Sequence, residues 1–521
     1  MRKSSSFLDI CINLSTVLRN FAAKLTTMKQ NHNLSLRIIF TLCLLSVWSA
    51  WLSAQPKREV RAAWITTAYG LDWPHTRAIS ATSRERQKAE LIKMLDKLKA
   101  ANFNTILFQA RTRGDVLYRS DIEPMNAILT GKVDGDPGYD PLAFAVEECH
   151  KRGMECHAWM VTLPLGNRKH VAALGKKSVT KTHPKLCVSY RKHYYLNAGH
   201  PETKDYLMSL VREVVQRYDV DGVHFDFLRY PDKARRFPDS YDYRKGGNGR
   251  SLAQWRRDNL TEILRHIYKE VKKIKPWVKV STSPVGKYRD TSRYSSRGWN
   301  AFNAVYQDVQ GWLGEGIQDQ IYPMMYFRGN HFYPFALDWK EQNNGRQVIP
   351  GLGIYFLHPS EGNWSLDEIE RQMNFIRAEG LDGEAHYRAA FLMEQDTQGL
   401  YDLLVDQYYT YPALQPAMPW LDAEAPTTPT GLHIEHRQDG SVHLSWKASQ
   451  DNDPDNTPMY VVYASDTYPV DITRPEHIVA QNVQGTTYTY TSILPWDNQK
   501  HFAVTAIDRY GNESAPCQGQ P

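Results

Sequence analysis

From residue 60 to residue 408 the chain alternates short apolar runs with amphipathic stretches of helical period. The apolar runs fall at 60–67, 105–110, 155–161, 222–227, 279–284, 320–326, 348–355 and 385–391. Helical stretches follow at 84–100, 141–152, 202–218, 252–274, 300–312, 366–379 and 399–408; in the first, Leu91, Met94, Leu95 and Leu98 recur at the spacing of one helix face. Strands separated by helices must run parallel, and eight is the number that closes a ring. The pattern therefore predicts an α/β fold, a (β/α)8 TIM barrel over residues 57–410. An open doubly wound sheet is the alternative, but no glycine fingerprint for a dinucleotide follows the first run.

Five prolines between Tyr411 and Pro429 read as a stiff linker. Beyond it the period changes to two, as in Ser441–Trp446, Tyr460–Tyr463 and Phe502–Ile507. That predicts a small all-β immunoglobulin-like sandwich over 430–521. Trp446 and the closing Ala506–Ser514 stretch resemble a fibronectin type III module, which implies a spacer or a surface for a cell-envelope protein or glycan partner.

Residues 1–54 read as an upstream extension followed by a signal peptide. Lys29 and Arg37 precede an apolar run over 38–52, and Ser53-Ala54 offers a small residue for cleavage after Ala54. The run is about 15 residues, short of the roughly 20 needed to span a bilayer. The expected address is secreted, periplasmic or envelope-associated, with no integral span after cleavage. Of the formal net charge of +6, five units belong to this leader, which leaves +1 from Gln55 onward. A chain so nearly neutral gives no support for a nucleic-acid partner. Cys149, Cys156, Cys187 and Cys517 follow no zinc spacing, and no metal or cofactor is expected. Cys149 and Cys156, on a helix and the next strand, suit small buried thiols that export would allow to pair.

The chemistry concentrates at Asp221–Pro231. Val223 and Phe225 alternate with His224 and Asp226, Gly222 permits close backbone approach, and Pro231 ends any pairing. This strand delivers Asp226 at its carboxyl end, with Arg229 and Tyr230 just beyond. In a barrel the active site is built where strands end. The other strand ends offer Trp64, Gln109, Arg111, Arg113, Asp115, Tyr118, His157, Trp159, Tyr322, Tyr326, Glu384 and His386. Aromatic rings would present flat faces to sugars, and Arg, Gln and His would bond hydroxyls.

Arg61-Ala62-Ala63-Trp64-Ile65, Phe108–Asp115 with Tyr118, His157-Ala158-Trp159 and the Asp226–Pro231 loop resemble the glycosyl-hydrolase-like 10 family in order. The resemblance implies a secreted TIM-barrel glycosidase. The best understood members cut peptidoglycan glycan strands stripped of their peptides. Two departures stand out: Phe227 where many members carry a second acid, and Pro323-Met324-Met325-Tyr326 where Pro-Gln-x-Tyr is common. Glycoside cleavage usually needs two carboxyl groups. Asp226 is the first; Asp115, Glu384 and Asp319 are candidates for the second. A protein that grips glycan without cutting it, and a glycosidase for another polysaccharide, are the alternatives.

Overall fold

The computed structural model describes residues 55–520 apart from 297, 394–396, 455 and 492–499; the leader expected over 1–54 lies outside them. The parallel strands are β1 (Val60–Ile65), β2 (Thr105–Arg111), β3 (Glu155–Val161), β4 (Gly222–Asp226), β5 (Lys279–Thr282) and β6 (Gln320–Ile321). They are followed by β7, in two pieces (Gln347–Val348 and Gly351–Leu352), and β8 (Gly383–His386). β7 closes the ring. Ile349 and Gly351 donate to Ile321 and Pro323 on one side, while Asp382 and Ala385 donate to Val348 and Pro350 on the other. With β8 paired to β1, eight parallel strands form the predicted barrel.

The connecting helices are α1 (Ala81–Ala100), α2 (Pro141–His150), α3 (Thr203–Arg217), α4 (Leu252–Ile274), α5 (Val309–Glu315), α6 (Tyr333–Glu341) and α7 (Leu366–Ala378). Their starts follow local chemistry: Ser80 and Asp140 accept N–H bonds at the first turns of α1 and α2. α6, which the periodicity does not mark, completes the connection between β6 and β7. The strand expected over 385–391 begins and ends earlier, at Gly383 and His386.

Alternation within the strands divides the core in two. Outward residues such as Val223 and Phe225 join the large apolar layer under the helices. Inward ones, among them Ala62, Trp64, Leu107, Trp159, Tyr322 and Ala385, fill the lumen. Gly222 makes this filling possible: a β-carbon there would sit 2.7 Å from the His157 ring.

Two antiparallel sheets follow. One orders Thr430–His436, Val442–Lys447 and Thr487–Tyr490; the other orders Ile478–Val483, Met459–Ser465, His501–Ile507 and Cys517–Gln518. They share one core of Leu444, Trp446, Val462, Phe502 and Val504. This sandwich rests on the amino-end floor of the barrel. Arg509 grips Asp219 through two bonds of 2.7 and 2.8 Å, and Lys57 meets Glu513 at 2.7 Å. The proline-rich segment crosses the same floor, where the Gln347 amide donates to Pro416 O and the Trp420 indole donates to Asp319, each at 3.0 Å. Among the described residues no helix is long and apolar enough to cross a membrane. Cys149, Cys156, Cys187 and Cys517 are free thiols.

Candidate active site

Asp226 is the last residue of β4 and faces the lumen mouth, 6% exposed. The chain turns sharply after it: Phe227 lies in the left-handed region at φ 53°, uncommon for a residue with a β-carbon. That turn lets the Phe227 N–H bond the Asp226 carboxylate at 2.7 Å and throws the Phe227 ring outward. Burial pushes the Asp226 carboxyl above the usual range, against the pull of Arg229, the Phe227 N–H, Ser283 and Trp159. The Ser283 hydroxyl and the Trp159 indole face the carboxyl without reaching full hydrogen-bond geometry. Both atoms, with the Thr66 hydroxyl and Arg229 Nη1, are buried without an internal partner. Ser283, Trp159 and Arg229 thus act on the acid with incomplete bonds, and Thr66 acts on the neighbouring Tyr387, an arrangement of donors that suits the arrival of a ligand's hydroxyls.

Two aromatic groups frame this acid. On the β6–β8 side Tyr326 and Tyr387 stack at 5.4 Å, with Tyr355 edge-on to both. Burial raises both the Tyr326 and Tyr387 phenols, and the Asp226 charge raises them further. On the other side Arg229 lies over Phe227 at 4.5 Å and Trp299 at 5.2 Å. Phe227 and Trp299 are 38% and 41% exposed, an open apolar shelf at the rim. Arg229 interacts with two acids, Asp226 and Asp232. Asp232, exposed, accepts the Trp299 indole N–H at 2.8 Å.

Of the residues nominated from sequence, Asp226, Arg229, Trp159 and Tyr326 meet at the mouth. Trp64 lies just beneath, its ring edge against Tyr387 and its indole N–H on His224 Nε2 at 3.3 Å. That bond leaves His224 Nδ1 to donate to Ser281 at 2.9 Å, the neutral form that burial favours. Gln109 braces the rim by accepting the Thr67 and Ala68 N–H groups, and Arg113 stands on the rim bonded to Tyr69 at 2.7 Å.

The others are placed elsewhere. Glu384 and His386 occupy outward positions of β8, because inward ones are 383, 385 and 387. Glu384 accepts from Tyr409 at 2.5 Å, and His386 bonds the same hydroxyl at 2.9 Å. Burial and Glu59 push the Glu384 carboxyl up to about 7 despite Arg377 nearby. Arg111 is turned outward by a register shift after Gln109 and forms a bidentate buried pair with Glu123, 2.7 Å for each bond. Tyr118 packs against Tyr218 and Tyr230 against Phe237 and Tyr306, both in the helix layer. His157 sits at the floor, bonded to Glu155 at 3.0 Å, and Tyr322 lies below the mouth, donating to Gln320 at 3.0 Å. Asp115 is held by its own loop through Thr112 and the Arg113 N–H. Asp319 is at the floor, paired to Lys272 at 2.8 Å. Sequence reading passed over Asp232, Trp299 and Tyr355. The first two could have been found as an acid directly after Pro231 and an isolated tryptophan in a glycine-flanked loop.

A closed barrel whose mouth gathers a buried acid, a stacked arginine, open aromatic faces and unfilled donors has the make-up of a glycoside hydrolase. The chain belongs to the glycosyl hydrolase-like 10 family, whose model matches residues 59–357. It is 30% identical over 485 residues to Glycosyl hydrolase YngK of Bacillus subtilis, covering 89% of this chain and 93% of that protein. It is 36% identical over 377 residues to Glycosyl hydrolase DigH of Escherichia coli, covering 66% and 86% respectively. Among solved structures, the PgaB (BpsB) glycoside hydrolase domain from Bordetella bronchiseptica aligns at 15% identity and a TM-score of 0.47, over 67% of this chain and 99% of that one.

Proposed function

We propose that this glycoside hydrolase is exported and cuts the glycan strands of peptidoglycan after their peptides have been removed. The observation that carries the catalytic part is Asp226, a carboxyl at the barrel mouth that burial holds above its usual range and that Arg229, Ser283, Trp159 and the Phe227 N–H face. A carboxyl so tuned keeps its proton at higher pH than an exposed aspartate and can deliver it to a leaving glycosidic oxygen. Ser283, Thr66, Trp159 and Arg229 then bond the hydroxyls of the sugar whose bond is cut. Tyr326, Tyr387 and the Phe227–Trp299 shelf supply stacking faces. Asp232, which shares Arg229 with the acid, is the candidate for the second carboxyl. The substrate follows the family resemblance, and export follows the character of residues 1–54.

One observation favours the second reading, a protein that holds glycan without cutting it: Asp115 and Glu384 are both engaged away from Asp226. Incubation with peptide-free strands separates the two. Shorter products that vanish in Asp226→Asn and in Asp232→Asn establish hydrolysis by this pair. Retained binding with no products from the unaltered chain would leave only the holding role. Cleavage of neutral chitin oligosaccharides in preference to peptide-free strands would move the substrate to another polysaccharide.

A further inference from the structure

The near-zero net charge from Gln55 onward conceals an uneven distribution. From Cys156 to Pro201 the chain contains no Asp or Glu, while eight Lys and Arg side chains fall between Arg168 and Lys192, all exposed. One of them, Lys177, meets a carboxylate, Asp134 at 2.6 Å. The other seven have no carboxylate within ion-pair distance among the described residues.

Topology puts this segment at the mouth, because it connects the carboxyl end of β3 to α3. It folds into a three-stranded antiparallel sheet of Pro164–Asn167, His193–Leu196 and Cys187–Tyr190, with a short helix at Arg168–Ala173. The sheet is fixed at both ends. His170 bonds the Arg113 carbonyl at 2.9 Å beside β2, and the Tyr190 hydroxyl donates to the Lys233 carbonyl at 2.7 Å beyond β4. Tyr190 and Tyr195 pack their edges on Phe237. Tyr195 and Leu196 share a small recess with Arg229, and the Asp232 charge reaches the Tyr195 phenol. The excursion is thus a rigid wall that starts beside the reaction centre and leads away from it.

Like charges crowded together repel, and an acid-free run of this length forgoes the mixed-sign surface that would relieve the repulsion. A neutral polysaccharide would gain nothing from such a wall. A strand carrying carboxylates at regular intervals would neutralise it. We propose that the excursion over residues 164–196 is an extended binding surface for an anionic glycan, gripping free carboxylates on the sugars beyond the bond being cut. This rests on the glycosidase reading above and adds the property by which the substrate is chosen: its charge. The attraction is among exposed groups, so salt should screen it.

The test compares the full chain with a variant carrying Lys169→Gln, Lys176→Gln, Lys181→Gln, Lys185→Gln and Lys192→Gln, each at an exposed position away from Asp226. On peptide-free strands at low salt the variant should show a KM raised about tenfold with kcat unchanged. Added salt should raise the KM of the unaltered chain toward that of the variant. Strands whose carboxylates have been reduced to alcohols should be bound equally weakly by both. A KM indifferent to the substitutions and to salt, or equal affinity for carboxylated and reduced strands, overturns the proposal, as does preferential capture of the chain by vesicles rich in anionic lipid. If the unaltered chain cleaves no strand, the glycosidase reading fails separately. Co-sedimentation with carboxylated against reduced strands still decides the role of the wall.

Discussion

At the amino ends of the barrel strands, Glu155 is held between Lys279 and His157, Gln320 bonds Gln347, and Asp221 receives His150 at 2.8 Å. At the carboxyl ends of the same strands, Ser283, Thr66, Trp159 and Arg229 all keep a buried polar atom without an internal partner. The same eight strands thus end in a floor dominated by ion pairs, where His157 Nδ1 and Arg61 Nη2 still lack a partner, and a mouth where one acid is faced by an arginine and neutral donors. Along the polar crevice between floor and sandwich, His150, Glu155 and Arg509 are paired with Asp221, Lys279 and Asp219, while Trp277 Nε1, Gln415 Oε1 and Gln481 Oε1 lack a partner. Buried polar groups exact a free-energy cost unless bonded. The floor's acids are held in ion pairs, which serves stability, whereas the mouth's acid is faced by Arg229 and neutral donors, which suits a ligand's hydroxyls.

The largest expected effect breaks the mouth alone. Asp226→Asn should lower kcat by about a thousandfold, within the range of a lost general acid, measured as new reducing ends on peptide-free strands. Its stability should not fall. A carboxyl whose pKa is raised by folding loses stability as pH climbs from its unfolded value through its folded one. The amide removes that loss, so the melting temperature at neutral pH should hold or rise.

Asp221→Asn is the converse test at the floor. Burial alone would raise the Asp221 carboxyl, but His150 and Arg509 pull it down to about 2. A depressed carboxyl contributes stability at pH values above its unfolded value and surrenders it as pH falls toward the folded one. The variant should therefore lose on the order of 2 kcal/mol at neutral pH, with the deficit closing in acid, and kcat on folded protein should not change. Denaturant titration at pH 7 and pH 3 reads both halves. A fall in kcat would mean that the two ends are coupled after all.

A smaller change sharpens the comparison at the rim. Trp299→Ala removes an exposed ring over Arg229 and should weaken glycan binding by about 1 kcal/mol, the scale of a solvent-exposed cation–π or stacking contact. Thermal stability should stay unchanged, because the ring is 41% exposed. Isothermal titration with an Asp226→Asn background measures it without turnover.

Much of this division was legible in the sequence, and the failures have physical causes. The strand order and the placement of Asp226 follow from periodicity, which survives wherever a strand has both a lumen face and a helix face. Strand eight, expected over 385–391, runs from Gly383 to His386, two residues earlier at its start and five at its end. Gly383 belongs to the strand, where a β-carbon would sit 2.0 Å from the Val60 carbonyl oxygen, so no side chain could fit. Alternation along the strand turns Glu384 and His386 away from the lumen, toward Tyr409. Arg111 was lost to a bulge, which leaves no mark on composition. Asp232 and Trp299 lie in loops, where no period exists to point a side chain anywhere.

Glu384 provides the finest discrimination, because its acidity resembles that of a catalytic group. Raised to about 7 and completely buried, it would pass any search for perturbed carboxyls. Its partners argue otherwise: Tyr409 donates to it, and Glu59, Arg377 and Arg61 act on it. Glu384→Gln keeps an acceptor for the Tyr409 hydroxyl, so kcat on peptide-free strands should stay within about twofold of the unaltered chain. Stability should show the difference instead. With its carboxyl raised from 4.5 to about 7, the unaltered chain loses stability as pH rises across that interval, whereas the amide does not. The melting-temperature gap between the two should therefore widen from pH 5 to pH 8 in the variant's favour. A flat gap accompanied by a large drop in kcat would return Glu384 to the chemistry and overturn the separation of the lumen from the helix layer.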